Sequence, residues 1–489
     1  MSWLSLLVFS PLIGILLLTI TPKHNANMAK LVGVIGAVIP FLLSLIVFQT
    51  FHAGNELSEK LTWMTLGQDA FQFTINYELG VNGFSLILLL LTTLISLLSM
   101  VIARTQVKTS WRSYYILCLL LELGILGVFA AENLILFFIF FELTLLPMFL
   151  LIGKWGGLER EKAAYSYLIY NGLGSAALLI VFVALIAKTG TSNMTELMTI
   201  VPQLDDGFRM GAFIGLLLAF GVKLPIIPLH TWMVRVHVYA PTALVMIHAG
   251  VLLKIGAYGL IRFGLGFFPA EFENMAPLIA ILGIVNLLYG AFIALVQQEL
   301  RRILAYSSVS HMGIVLIGIA AVNEAGVQGA IFQTVSHGLI AALFFLLVGV
   351  LIERTGTTEL KKLGGLAKVM PVTAGVLLTA ALASLGLPGM SGFVSEFMAF
   401  LGLFETLPIL AAIGTLGLIL TAVYMLRAVL NITFGEGPTY PENLRPLSGT
   451  EGWPVFILLG MIVLIGVYPT VLTDMLSTTL ETILIGMGG

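Results

Sequence analysis

The sequence predicts an all-α polytopic membrane protein of about 14 transmembrane helices, and three observations carry that prediction. The 489 residues are 59% hydrophobic and only 10% charged, with a mean hydropathy of +1.06, which leaves too little polar surface to clothe a water-soluble globule. Apolar stretches of bilayer-spanning length, about 20 residues each, recur along the whole chain. Lysine and arginine gather in alternate loops, as orientation in a membrane requires.

In order, the spans fall at roughly 3 to 20, 29 to 50, 82 to 103, 112 to 131, 133 to 152, 163 to 187, 210 to 228, 241 to 263, 275 to 296, 303 to 321, 327 to 352, 371 to 402, 408 to 433 and 453 to 473. The first lacks a positive leader and a small-residue cleavage site, so it reads as a retained helix. The twelfth is too long to be one straight span, and Leu387-Pro388-Gly389 inside it marks a break. With the N-terminus outside, 17 lysines and arginines fall in inner loops and four (Lys60, Lys188, Arg209, Arg262) in outer ones, while Lys223 and Lys254 lie inside spans. That asymmetry places both termini on the outer side of the membrane. In the outer loop 51 to 81, the alternation of Phe71-Gln-Phe-Thr-Ile-Asn-Tyr77 predicts a hairpin strand.

The whole chain, 1 to 489, reads as one membrane domain. Leu-Pro occurs in the seventh span (Leu224-Pro225) and again in the twelfth (Leu387-Pro388), each the fourth helix of a five-helix set. Spans 4 to 8 (112 to 263) and 9 to 13 (275 to 433) are therefore expected to be two inverted repeats, with spans 7 and 12 broken. Three helices and an outer hairpin loop precede them (1 to 103), and a last helix (453 to 473) follows. Paired Pro-interrupted helices in inverted repeats point to an ion site, although proline is also common in membrane helices.

Composition excludes several functions. A net charge of −2 with no basic surface does not suit nucleic acid. The single cysteine, Cys118, cannot form a disulfide, an iron-sulfur site or a structural zinc site within the chain. No metal or cofactor site is expected, and any electron carrier belongs to other subunits. Gly172-Leu-Gly174 lies inside an apolar span with no preceding strand, so it is no dinucleotide fingerprint.

Five ionisable residues other than histidine fall well inside spans: Glu122, Glu142, Lys223, Lys254 and Glu396. Each costs about 2.5 to 3.5 kcal/mol at the bilayer centre, roughly 12 to 18 kcal/mol together before pairing. Such charges persist by pairing, by reaching water or by losing charge, and the last two suit proton transfer. Glu142 and Lys223 form a candidate switchable pair, with a static interhelical salt bridge as the alternative. Lys223 stands two residues before Pro225, which is expected to leave the Gly221 carbonyl unpartnered and open to water. Lys254 has no acid in its own span and is a candidate relay. Glu396, about 12 Å along an ideal helix from Pro388, supplies an acid to the second repeat. His248, His311 and His337 also lie within spans and can both accept and donate a proton, so they are placed to bridge Lys254 to Glu396. His230 and His237, near the loop after span 7, are expected to face water. Glu122 is either a lateral proton donor or a partner for a neighbouring polar group.

At these residues the chain resembles a known family. Phe141-Glu-Leu-Thr-Leu-Leu-Pro147, Gly221-Val-Lys-Leu-Pro-Ile-Ile-Pro-Leu-His-Thr-Trp232, Gly250-Val-Leu-Leu-Lys-Ile-Gly-Ala-Tyr-Gly259, Ala305-Tyr-Ser-Ser-Val-Ser-His311 and Gly392-Phe-Val-Ser-Glu-Phe397 are similar to the antiporter-like proton-pumping subunits of respiratory complex I, NADH-quinone oxidoreductase. Glu396 stands where the L and N branches carry lysine and so resembles the M branch (chain 4). The end of the chain, without a long lateral helix, agrees. The resemblance implies a 14-helix bundle with two inverted repeats. It also implies that Glu142 and Lys223 are the coupling pair, Lys254 the central relay and Glu396 the terminal site, with His311 and His337 between them. It further implies L- and N-type neighbours, a peripheral redox arm, and flavin, iron-sulfur clusters and quinone in those partner subunits. Met233-Val-Arg-Val-His-Val-Tyr-Ala-Pro241 departs from the family by losing two acids and a proline, and His248 is reminiscent of the L branch instead.

Two other readings remain open at the level of sequence. A subunit of a multisubunit cation/proton antiporter or membrane hydrogenase would share the Glu-Lys pair and the Leu-Pro break. A structural membrane scaffold would hold all five charges in static bridges.

Overall fold

The computed structural model describes residues 3–22, 24–54, 57–66, 73–438, 440 and 444–485. Lys23, Phe71 and Gln72, which entered the sequence reading, and the last residues 486–489 lie outside that range. α1 (Trp3–Phe9) and α2 (Pro11–Ile20) make one span bent at Ser10, and α3 (Ala26–His52) returns. β1 (Ser58–Leu66) and β2 (Phe73–Gly80) form the expected hairpin, antiparallel with Ser58 opposite Gly80. α4 (Gly83–Gln106), α5 (Trp111–Ala130), α6 (Leu134–Trp155) and α7 (Arg160–Thr189) follow. A short α8 (Met194–Ile200) leads to α9 (Asp206–Lys223) and, after a break, α10 (Thr231–Tyr239).

The next span contains α11 (Thr242–Ile247), a π-helical stretch at His248–Leu252, α12 (Lys254–Gly259) and a second π stretch at Leu260–Leu265. α13 (Pro269–Val296), α14 (Leu300–Ala320) and α15 (Glu324–Thr355) are continuous. After a short α16 (Leu366–Val369), α17 (Pro371–Ser384) and α18 (Ser391–Thr406) flank the second break. α19 (Pro408–Phe434), α20 (Gly449–Val467) and α21 (Thr470–Ile485) complete the described chain. Among the described residues 12 helical spans are long and apolar enough to cross a membrane. The interrupted pairs α9–α10 and α17–α18 are not among those 12.

Several boundaries differ from the sequence reading. The seventh span stops at Lys223 rather than near 228, and residues 231 to 239 form a helix with one buried face rather than an open loop. The last span stops at Val467 rather than 473, because Pro469 lacks the N–H that the next turn needs, and α21 begins immediately after it.

Asparagines start many of the helices. The side chains of Asn25, Asn82, Asn133, Asn193 and Asn323 each accept a backbone N–H of the first turn, satisfying donors that have no intrahelical partner. Asn133 also ties the hairpin to the bundle, its Nδ2 donating to Glu78 Oε2 at 3.1 Å and to Ser192 Oγ at 2.8 Å. Lys60 closes the other side of Glu78 at 2.9 Å, and that bond and charge hold the Lys60 ammonium above its usual pKa. Glu132 and Arg262 form an ion pair beside them.

A matched pair of clasps joins successive helices. Leu134 N donates to Ser192 O at 2.9 Å and Met194 N to Glu132 O at 3.0 Å, while Leu300 N donates to Thr358 O and Leu360 N to Gln298 O, both at 2.9 Å. The clasped segments read Lys188-Thr-Gly-Thr-Ser-Asn193 and Arg354-Thr-Gly-Thr-Thr-Glu359, and Gly190 and Gly356 share φ +73°. The first clasp lies at the hairpin end of the bundle. Counting crossings from it puts the second at the opposite end, where Arg301 donates to the carbonyls of His237 and Ala240.

The core is formed by α4, the π-interrupted span, α14 and α15, whose side chains are almost all buried. The outer helices turn large apolar side chains outward, among them Leu16, Ile20, Leu146, Leu173, Ile180, Phe292 and Ile419. A lipid environment accepts such a surface.

Candidate functional site

Lys223 ends α9 and is buried, with Nζ 4.8 Å from the centre of the Phe141 ring and 5.7 Å from that of Tyr167. Ring faces attract a cation at these distances. Glu142 is half-buried on α6, and Ser175 Oγ donates to its Oε1. No carboxylate stands within ion-pair distance of Lys223 among the described residues, so the expected Glu142–Lys223 partners are separated here, each with other company.

The break after Lys223 is not opened to water in the way expected from Pro225. The Gly221 carbonyl is taken by Ile226 N at 2.8 Å. Val222 O accepts Trp232 Nε1 at 3.1 Å, and Asn286 bonds both Ile227 N (2.8 Å) and Pro225 O (3.2 Å). Side chains thus replace the lost helical bonds, as buried backbone groups require.

Lys254 is fully buried on α12, between the two π stretches. Its Nζ donates to Ala249 O at 2.9 Å and lies 2.7 Å from His337 Nδ1 on α15. The contact follows from close backbone approach: a Cβ on Gly338 would stand 2.7 Å from Gly250 O. With the ammonium donating to Nδ1, the ring proton sits on Nε2, which faces Ser308 Oγ at 3.2 Å. Ser308 passes the bond to Leu304 O at 3.1 Å.

His311 on α14 contacts two backbone carbonyls, Ser307 O from Nδ1 at 2.7 Å and Ser384 O from Nε2 at 3.0 Å. Carbonyls only accept, so whichever ring nitrogen carries the proton donates to the carbonyl beside it. Glu396 Oε1, on α18, stands 3.8 Å from the same Nε2 and has no hydrogen-bond partner among the described residues. Tyr424 donates to Ser307 Oγ at 3.0 Å behind the ring. A cavity of about 20 Å³ lies between Ser307, Ser308, His311, His337, Ser384 and Glu396. One water molecule needs roughly 10 to 15 Å³ of such space. His311 and His337 rings are 5.6 Å apart across it. The cluster therefore sets His337 and His311 between Lys254 and Glu396 around one water-sized space.

The other sequence candidates are placed as follows. Glu122 is fully buried on α5, and neither carboxylate oxygen has a hydrogen-bond partner among the described residues. His248, in the first π stretch, accepts or donates at Nδ1 to His237 Nε2 at 3.0 Å. His237 and His230 were expected to face water. Both are buried, His237 against His248 and Phe345, His230 against Tyr289 and Tyr306, because the segment that carries them is a packed helix. Sequence reasoning missed Tyr167, Asn171 and Ser175. Their spacing of four on one apolar helix, a polar stripe facing Lys223 and Glu142, was the available signal. It also missed Ser307 and Ser308, which are unremarkable residues in a membrane helix.

Comparison with known proteins gives a consistent result. The family model described as NADH:quinone oxidoreductase/Mrp antiporter, TM, matches residues 131–423. The chain is 38% identical to NADH-quinone oxidoreductase subunit M of Rhodobacter capsulatus over 97% of this chain and 94% of the relative. It is also 38% identical to an NAD(P)H-quinone oxidoreductase chain 4 of Thermosynechococcus vestitus, over 98% of this chain and 91% of the relative. Among solved structures it superposes on a chain of respiratory complex I from Thermus thermophilus with TM-score 0.88 and 30% identity, covering 99% and 100% of the two chains. A chain of the Mrp complex from a Dietzia species shares the fold, with TM-score 0.87, 21% identity and full coverage of both chains.

Proposed function

This chain belongs to the NADH:quinone oxidoreductase/Mrp antiporter transmembrane family, and on that premise we propose that it is the proton-translocating, antiporter-like membrane subunit of an NADH-quinone oxidoreductase. The observation that carries the mechanism is the cluster from Lys254 through His337 and His311 to Glu396 around one water-sized cavity. In this reading Lys223 and Glu142 act as the switch. Lys223 leaves the rings of Phe141 and Tyr167 to pair with Glu142, and its return alters the field felt by Lys254. Lys254 then gives a proton to His337 Nδ1. His337 releases the proton on Nε2 toward the cavity, and His311 hands it to Glu396, whose free Oε1 receives it. Each step moves a proton over one hydrogen bond or one bridging water.

The two clasped halves, α5 to α12 and α13 to α19, are read as inverted repeats. Their register differs from the one that Leu-Pro implies. Ile226 N bonds Gly221 O and Leu387 N bonds Leu382 O, both five residues back, which aligns Pro225 with Gly386 rather than with Pro388. Redox chemistry belongs to partner subunits carrying flavin, iron-sulfur clusters and quinone, with antiporter-like neighbours beside this chain in a bacterial inner membrane and both termini outside.

The test is Lys223→Ala and Glu142→Ala in the intact complex reconstituted into vesicles. Assembly should persist while proton pumping falls, and full pumping by either variant would sink the reading. Copurifying subunits with NADH-, flavin- and iron-sulfur-binding sites support a quinone reductase, whereas partners without redox centres would turn the assignment to cation/proton exchange.

A further inference from the structure

The segment between α17 and α18 enters the left-handed region twice, at Gly386 (φ +77°) and Gly389 (φ +92°), where only glycine is unstrained. The two positions differ in what surrounds them. A methyl group on Gly389 would meet no atom within 4 Å. A methyl on Gly386 would overlap Glu396 Oε2 and stand 3.3 Å from the carboxylate carbon and 3.9 Å from Oε1. The carboxylate of Glu396 therefore occupies the volume that any other residue at 386 would fill. Two residues earlier, Ser384 O receives His311 Nε2 at 3.0 Å, the nitrogen that faces Glu396 Oε1 at 3.8 Å.

We infer that Gly386 is a positioning residue for Glu396, its missing side chain forming the seat that holds the carboxylate against His311. This rests on the reading of Glu396 as a proton-carrying site. One short break thus fixes both partners of the last transfer, the histidine by the carbonyl of Ser384 and the acid by the hollow at Gly386. The corresponding position in the first break is Pro225, which offers no hollow. The seat belongs to the second half alone, the half whose helix after the break carries the acid.

The test uses the intact complex in membrane vesicles, with proton translocation per quinone reduced as the readout and the amount of assembled complex matched. Gly386→Ala should lower translocation by up to about a hundredfold, as expected for an ångström-scale displacement of a transfer group, while Gly389→Ala, with the same left-handed strain, keeps most of it. Glu396→Asp draws the carboxylate back by one methylene and frees the seat, so Gly386→Ala/Glu396→Asp should pump no worse than Glu396→Asp alone. Where Gly386→Ala blocks assembly, Glu396→Asp should restore it. Equal losses in the two glycine variants, additive losses in the double variant, or unrestored assembly would overturn the inference. A silent Glu396→Gln would instead overturn the reading of Glu396 on which it rests.

Discussion

Lys254 and His337 are 83 residues apart in the chain and 2.7 Å apart in the fold, ammonium nitrogen to Nδ1. Neither has another charged group in direct contact among the described residues, so each is the other's main means of tolerating burial. That mutual dependence yields the first prediction. His337→Phe removes the acceptor while keeping a ring, and should lower proton translocation by about a hundredfold, the scale of a lost acid–base group. Lys254→Met should do the same, and the double variant no worse than either single one. Dye-reported acidification of inverted vesicles measures all three, and independent losses would exclude a shared step.

A second prediction concerns stability. Glu132 and Arg262 form a largely buried ion pair where the α5–α6 turn meets the second π stretch. Removing one partner strands the other, so Glu132→Ala should destabilise the protein by about 3 kcal/mol. Glu132→Ala/Arg262→Ala should recover part of that loss, as read by thermal unfolding in detergent. A single variant with an unchanged melting temperature would count against the pair as an anchor.

The C-terminal helix rests on one glycine. Gly83 N donates to Thr479 Oγ1 at 2.9 Å, and a methyl at Gly83 would overlap the Met475 carbonyl. Gly83→Ala should therefore lift α21 from α4 and expose residues 470 to 485 to limited proteolysis, while Thr479→Val, which loses only the hydrogen bond, should loosen it less. The order of cleavage rates decides the matter.

The hairpin supplies a pH prediction. Glu78 raises the pKa of Lys60, so the stabilisation that this bond lends is fully present below the unfolded lysine value of about 10.4 and is lost as pH rises through the higher folded value. Hydrogen exchange of β1 and β2 should show the same protection by the Lys60–Glu78 pair from pH 6 to 9. Comparison with Lys60→Met isolates it, and a difference that varies within that range would contradict the assignment. Lys60 is mostly exposed, so salt should weaken the effect.

Much of this architecture is legible in the sequence because its physics is local. A run of about 20 apolar residues must be a helix in lipid, and a charge inside such a run is conspicuous, which is how Glu142, Lys223, Lys254 and Glu396 can be picked out. What is hidden depends on register between distant segments. Leu-Pro looks like a matched pair, yet the backbone bonds that define the breaks put Pro225 opposite Gly386. His230 and His237 sit in a segment that reads as lying near a loop and are buried because α10 packs against α7 and α14. Ser308 and Ser175 are ordinary residues until the fold places them beside His337 and Glu142. Gly386 carries no side chain to notice, and its role lies in the space it leaves.

The two clasps have a mechanical consequence. Each joins one pair of long helices by backbone bonds at one surface only, the first at the hairpin end and the second at the opposite end. Each half is therefore tied within itself at one membrane surface, the first at the hairpin end and the second at the other. The interruptions after Lys223 and Ser384 lie between, where side chains rather than backbone ladders make the connections. Compliance is thus concentrated at mid-depth, so a push arriving sideways from a neighbouring subunit would be spent on bending these two elbows before it displaced either rim.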